Sequence, residues 1–424
     1  MKSRIILILS LFSLLFSPAT YGRRPVDSGK SVVSTLLNDT ADARRVEKAL
    51  TTNAPAAPKD HGLPRFALVG KNHEFYLGVG AQFLGEAVFD IGDQIPSPLL
   101  FAPATLIAAR PGSRESLGFA WQSSSIYLNF VAMPQTDNSI GLFFKGSFTG
   151  SGNNFSCYHF YARFRGLSVG YTSDAFTDAA AEPMTLDYEG PNGYPYATLF
   201  NASWTQKFGH GISAAIGIDA PSASISCGST TGAVSPCIPA VPLYVQYAWG
   251  GDASHVRLSG LLRPFRYRNL VLDRNTTLTG LGAQLSGIVS IMPCVSFCGN
   301  IVYGSGIGSY IQDDAGLGLD AMPASEPGRM AMTRSLGLTA GLAWTISPRL
   351  CANLSCSRLA NYPGKKATVP SDGYRHGEYL AANIIYTVNR FVSAGIEYDY
   401  GHRRNFGPQS LHTSRIQAQF ALTL

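Results

Sequence analysis

The sequence predicts an all-β protein: a transmembrane antiparallel β-barrel of about sixteen strands behind a short N-terminal helical segment. Three observations carry that expectation. First, period-two alternation recurs along most of the chain. Over 415–424, Ile416, Ala418, Phe420, Leu422 and Leu424 alternate with Arg415, Gln417, Gln419, Ala421 and Thr423, which makes one face apolar and the other polar. Second, short and long connections follow one another in turn. Third, charged residues are only 14% of the 424, glycines number 44, and mean hydropathy is +0.06. A helical membrane protein is more apolar and a soluble one more charged, whereas barrel strands face water on one side and lipid on the other.

The chain opens with a pattern expected of a secretory signal over 1–22: Lys2 and Arg4, an apolar run over 5–16, then small residues to Gly22. The run is too short for a membrane anchor, which needs about 20 apolar residues. No cysteine lies near this junction, which argues against a lipid-anchored N-terminus. Residues 23–73 form a separate region expected in the periplasm. There Asp39 or Thr40 is placed to cap a helix running through Ala43, Val46, Ala49 and Leu50. A proline-rich linker follows over 53–64. About three turns of helix are not stable alone, so the segment either associates with copies of itself or is partly disordered. A plug entering the barrel is a third option.

The barrel is expected over 74–424. Its strand-like segments run 74–91, 114–133, 139–150, 156–166, 167–176, 196–208, 211–219 and 240–249 in the first half. The second half has 254–268, 276–291, 295–312, 332–347, 349–362, 374–388, 391–405 and 411–424. Tight connections fall after every second segment, at 134–138, 165–166, 208–211, 250–253, 293, 348–349 and 389–390. The intervening ones are mostly longer, notably 92–113, 177–195, 220–239 and 313–331. Short periplasmic turns, long external loops and an even count are what a closed outer-membrane barrel requires. The uncharged stretch 275–312 reads as strand, because Leu281, Ala283, Leu285, Val289 and Ile291 alternate with Gly282, Gln284, Ser286 and Ser290. Trp204, Trp344, Tyr386, Tyr398 and Tyr400 share the outward parity and suit aromatic girdles at the lipid boundary.

The other parity gives the expected lumen wall. It holds Lys145, His159, Tyr161, Arg163, Arg165, Lys207, His255, Arg257, Ser259 and Arg263, with Arg114, Arg349, Arg375 and Arg415 on other strands. Inward acids are fewer: Glu86, Asp90, Glu397 and Asp399. An excess of inward Arg and Lys favours anions through a pore, and Arg163, Arg165, Arg257 and Arg263 are expected to provide it. In the alternative reading these charges balance locally and only solvate the lumen. The loop over 177–195 carries Glu182, Asp187 and Glu189. Entering a basic lumen, it would narrow the pore and set opposing charges across it; otherwise it is an ordinary surface loop.

Of seven cysteines, Cys227 and Cys237 share one loop-like stretch and are the expected disulfide, with Cys157 free. Cys294/Cys298 and Cys351/Cys356 lie on extended segments. Residues four apart on a strand are about 13 Å apart, which argues against a shared zinc. The run 166–170 matches G-x-S-x-G but lacks the strand–turn–helix that exposes such a serine. The run 304–308 lacks the spacing of a dinucleotide loop. No cofactor is expected, and a net charge of +6 is too modest to indicate nucleic acid.

Four stretches carry a family resemblance: FYLGVGAQFLGEAVFDIGD (75–93), RESLGFAWQ (114–122), HFYARFRGLSVGYTSDAF (159–176) and AFTDAAAEPMTLDYEGPNG (175–193). They resemble the DcaP-like trimeric outer-membrane porins, most clearly before about residue 193. The resemblance implies a sixteen-stranded homotrimeric porin passing small anionic solutes such as dicarboxylates. It also implies that Arg163, Arg165, Asp187 and Glu189 belong to the constriction. The helical segment is shorter than that family's N-terminal coiled coil. Two other readings stay open: a plugged structural or adhesin-like barrel presenting loops outside, and a barrel phospholipase with Ser and His on its lipid-facing wall.

Overall fold

The computed structural model describes residues 40–56, 66–134, 136–251 and 253–424. The expected signal over 1–22 and most of the linker lie outside the described residues.

Sixteen strands form the wall. They are β1 (Phe75–Gly92), β2 (Glu115–Ala120 and Ser125–Ala132, one strand broken at 121–124), β3 (Ile140–Ser147), β4 (Ser156–Phe164), β5 (Leu167–Ser173) and β6 (Thr198–Gly209). Next come β7 (Ile212–Asp219), β8 (Val241–Trp249), β9 (Ser254–Asn269), β10 (Arg274–Met292) and β11 (Val295–Ser305). The last five are β12 (Met330–Ser347), β13 (Leu350–Pro363), β14 (Tyr374–Thr387), β15 (Val392–Asn405) and β16 (Ser410–Thr423). Each pairs antiparallel with its sequence neighbours, and β16 returns to β1 from Gln82↔Thr423 to Gly92↔Thr413. The sheet is therefore closed, and closure removes the unpaired edges that a bilayer does not tolerate. Three short strands add local pairings: Phe66–Val69 on β1, Thr231–Ala233 on β9 and Ala321–Pro323 on β12.

Both ends of the barrel chain lie at the short-turn end. The turn at Arg165 and Gly166 shows why it can be so tight: both residues have positive φ, 47° and 83°. That backbone twist matches the flanking strands of a two-residue hairpin.

Alternation sorts the side chains as the sequence implies. Leu128, Phe160, Phe200, Leu258, Leu285 and Trp344 are exposed on the outside. Asn129, His159, Tyr161, Ser259, Asn300, Asn383 and Gln417 are buried within. Arg375 departs from its expected inward placement: a bulge shifts the register between Tyr374 and His376, and Arg375 is exposed. The largest apolar core lies inside the barrel. Phe176, Ile307, Tyr310, Ile311 and Leu319 come from long loops and pack on Leu261, Val302, Leu359 and Tyr374 of the wall. Burying a side chain such as Phe176 contributes about 1.5–3 kcal/mol, so these loops are held as parts of the folded interior.

Candidate functional site

The site is the lumen and what fills it. The loop over 174–197 turns inward and is bound to the wall by its backbone. Leu186 N and Asp187 N donate to the Glu397 carboxylate of β15, at 2.8 and 2.6 Å. Gly193 N donates to Ser357 Oγ of β13 at 2.9 Å. The wall is cut away to receive it: a Cβ on Gly337 of β12 would collide with Gly193 O, and one on Gly341 would stand 2.6 Å from Pro183. The expectation of an acidic loop entering the lumen therefore describes the structure.

The arginines expected to face the solute hold the loops in place. Arg257 Nη1 lies 3.5 Å from Asp178 Oδ1 and donates to Thr177 O at 3.0 Å; its Nε and Nη2 bind Gln246. Asp178 also accepts from Ser286 Oγ at 2.7 Å and lies 2.9 Å from His255 Nε2. Burial alone would raise the Asp178 carboxyl; Arg257, His255 and Ser286 together hold it below the ordinary carboxylate value. Arg263 is 1% exposed, pairs with Asp320 at 2.8 Å and donates to Gly306 O and Ser222 O. Arg415 binds both oxygens of Asp90, at 2.7 and 3.1 Å, and the carbonyls of Ser97 and Pro98. Local balance, with each guanidinium satisfied by a loop, is the arrangement found.

The same device operates at the short-turn end. Helix α1 (Thr40–Asn53) lies against the lumen face of the wall, with Ala43, Val46 and Leu50 packed on Tyr76 and Val131. Its C-terminal carbonyls, which lack partners within a helix, are capped by wall side chains. Asn129 Nδ2 donates to Leu50 O at 2.8 Å, Arg163 Nη1 to Thr52 O at 2.8 Å, and Tyr161 Oη to Asn53 O at 2.6 Å. Asn53 itself donates to Asn129 Oδ1 and Leu142 O. A Cβ on Gly141 would collide with the Asn53 amide. The helix thus rests on the inner face of the wall, with Arg163 among the side chains that cap it.

A cavity of about 580 Å³ lies between the infolded loop and the wall of β13–β16 and β1–β4. Asp187 and Glu189 line it with Glu86 and Glu182, and Lys145 is the one basic residue among the described lining. Glu86 is 4% exposed, and its Oε1 accepts from Ser123 Oγ at 3.0 Å and Gln419 Nε2 at 3.1 Å. Ser123 reaches it because β2 breaks there. Asp187 accepts from Phe101 N and Gly190 N, which locks its carboxylate to two loops.

Several expected site residues stand apart. Arg114 is exposed in the loop before β2 and does not line the cavity. Arg165 sits in its turn and donates to Asp137 O and to Asn138 Oδ1 at 2.5 Å, outside the lumen. Cys227 and Cys237 are both exposed free thiols in place of the expected disulfide. Between them Thr231–Ala233 is drawn out along β9, so the stretch does not fold back on itself. Cys157 is also free and exposed. Ser168 lies within β5 opposite Arg163 and Ser203, on the lumen side rather than on a nucleophile turn or the lipid face.

A closed sixteen-stranded barrel with loops folded into a polar lumen defines the class: the porin-type fold. Within it, the chain matches the crystal structure of the outer membrane channel DcaP of Acinetobacter baumannii. The TM-score is 0.73 at 15% identity, over 84% of this chain and 100% of that one. The anion-selective porin from Comamonas acidovorans matches at 0.53 and 9%, over 83% and 100%. OmpT, an outer membrane protein of Vibrio cholerae, matches at 0.53 and 9%, over 84% and 99%. No family model matches the chain, and no curated protein matches it. The likeness is one of fold, and at that level the resemblance to DcaP-like porins holds.

Proposed function

We propose that this chain is a bacterial outer-membrane channel for passive diffusion of small polar solutes, exported by the segment over 1–22 and assembled as a homotrimer. The observation that carries the reading is a cavity of about 580 Å³, with charged side chains in its lining, inside a closed wall whose outer face is apolar. A structural or adhesin-like barrel has no need of such a space. The apolar outer face suits outer-membrane lipid as its surroundings. The trimer is supported by the DcaP-like stretches and by a trimer form of the OmpT barrel. The expected preference for anions such as dicarboxylates rested on Arg163, Arg165, Arg257 and Arg263. Arg257 and Arg263 are paired with Asp178 and Asp320 and Arg165 lies in its turn, which weakens that support; among the described residues lining the cavity, Lys145 is the basic one. Purified protein in a planar bilayer is expected to give discrete conductance steps. A barrel that is folded, as judged by heat-dependent migration in SDS, and passes no current would sink the channel reading.

A further inference from the structure

We infer that Ser410, His402 and Glu378 form a serine-hydrolase triad on the outer wall of the barrel, directed at acyl esters of membrane lipid. This activity goes beyond conduction and does not depend on it. The three side chains stand on the adjacent strands β16, β15 and β14, at positions facing away from the lumen. His402 Nε2 lies 2.8 Å from Ser410 Oγ, and its Nδ1 lies 3.7 Å from Glu378 Oε2. The other oxygen of that carboxylate, Oε1, is held by Arg358 Nη1 of β13 at 3.0 Å. A nucleophile within hydrogen-bond reach of a base, with the base oriented by a third group, is the arrangement that activates a serine. The looser contact, here the one to Glu378, is common before substrate is bound.

Arg404 pairs with Ser410 across β15 and β16, and its Nη1 donates to Pro408 O at 2.9 Å, beside the nucleophile. A guanidinium has five N–H donors, so others remain to receive an oxyanion. Height on the wall indicates the substrate. Ser410 and Phe420 share the outward face of β16, ten residues apart in the chain, which is about 34 Å along a strand. With a tilt of about 40° this is roughly 26 Å of height, which puts Ser410 at the loop-side margin of an apolar band about 25 Å tall. The ester groups of a bilayer lipid lie at that margin, between acyl chain and headgroup.

In the reaction, Ser410 Oγ bonds to the ester carbonyl carbon as its proton passes to His402 Nε2. Collapse breaks the carbon–oxygen bond of the ester, and the leaving alcohol takes that proton. Water then repeats the cycle on the acyl-serine, which releases fatty acid and restores Ser410, with one water consumed per ester.

The test is release of fatty acid from phosphatidylethanolamine in mixed micelles by the folded full chain, with p-nitrophenyl butyrate as a water-soluble ester. The unmodified protein is expected to release fatty acid and Ser410→Ala to release none. Ser410 is exposed, so that variant should fold, as judged by heat-dependent migration in SDS. A fluorophosphonate should label Ser410 in the native protein and not after heat denaturation. Arg404→Gln should lower kcat by about 100-fold with little change in KM. Glu378→Gln should move the acidic limb of the pH profile of kcat/KM to lower pH, because the imidazolium loses its counter-charge. A folded barrel that releases no fatty acid and cleaves no p-nitrophenyl butyrate overturns the triad, as does equal release by Ser410→Ala. Cleavage of p-nitrophenyl butyrate that Ser410→Ala abolishes, without release from the lipid, overturns the lipid substrate.

Discussion

Two regions of the lumen, built by one alternation rule, have opposite character. Where β9 meets the loops over 174–197 and 306–320, Arg257 and Arg263 are matched by Asp178 and Asp320 and sealed around Phe176 and Tyr310. Beside β1, the loop and the wall leave a cavity in which Glu86 keeps an oxygen without a donor. Strand parity puts a side chain inside the barrel; whether a solute meets it depends on what the loops bring to it. The difference teaches that counting inward charges measures folding partners and pore lining together.

The most forceful way to break this comparison is to remove one partner of the sealed pair. Asp320→Ala leaves Arg263 buried without its carboxylate, a change that costs about 3–5 kcal/mol. The loop over 306–329 is expected to become protease-sensitive and conductance to rise, while the β-ladder keeps the barrel SDS-resistant. Intact protease resistance would mean that the pair does not hold the loop.

Gly141→Leu should act at the other end with a cost of about 1–3 kcal/mol, the usual range for overpacking. Its Cβ occupies the place of the Asn53 amide, so α1 is expected to lose hydrogen-exchange protection over 43–50. Protection equal to the unmodified protein would refute the docking.

A smaller effect concerns pH. Burial pushes the Asp314 carboxyl up to about 7, with Asp313 and Asp320 adding to the rise against hydrogen bonds from Asn361 and Ser335. Because the folded value lies above the ordinary carboxylate value of 3.8, the docked loop binds more protons than the released one between those values. Its stability therefore falls as pH rises from about 3.8 to about 7 and is independent of this group above that, with a slope of at most about 1.4 kcal/mol per pH unit. Exchange over 306–320 should be slower at pH 5.5 than at pH 8, after correction for the intrinsic rate. The reverse order would show that another group governs docking.

The smallest change is expected of Arg165→Ala. This exposed turn residue should alter stability by about 0.5 kcal/mol or less and leave the reversal potential unchanged. A clear shift in selectivity would return Arg165 to the constriction.

Much of the wall was legible because it depends on a local rule. Period two in segments such as 411–424, with tight turns at 165–166 and 348–349, implies which residues face lipid and which face inward. The positions of Glu86, Asp90, Glu397 and Asp399 follow from it. The acidic composition of 177–195 also pointed to a loop with a role inside the barrel. The seat of α1 was less legible: its apolar stripe of Ala43, Val46 and Leu50 does not say what covers it, and Gly141 looks like any strand glycine. The partners of the arginines were not legible for a related reason. Arg263 and Asp320, or Arg415 and Ser97, are far apart in sequence, and nothing local marks one as the other's partner.

The sequence by itself determined an antiparallel all-β chain with alternating faces, an even strand pattern and a set of inward charges, because side-chain direction in a strand is a property of adjacent residues. The tertiary structure alone decided that α1 caps the short-turn end, that the guanidiniums anchor backbone, and that Glu86, Glu182, Asp187, Glu189 and Lys145 meet at one cavity. A buried charge must find its counter-charge and hydrogen bonds wherever the chain brings them. In this barrel those partners arrive on loops whose inward course depends on contacts across the whole lumen.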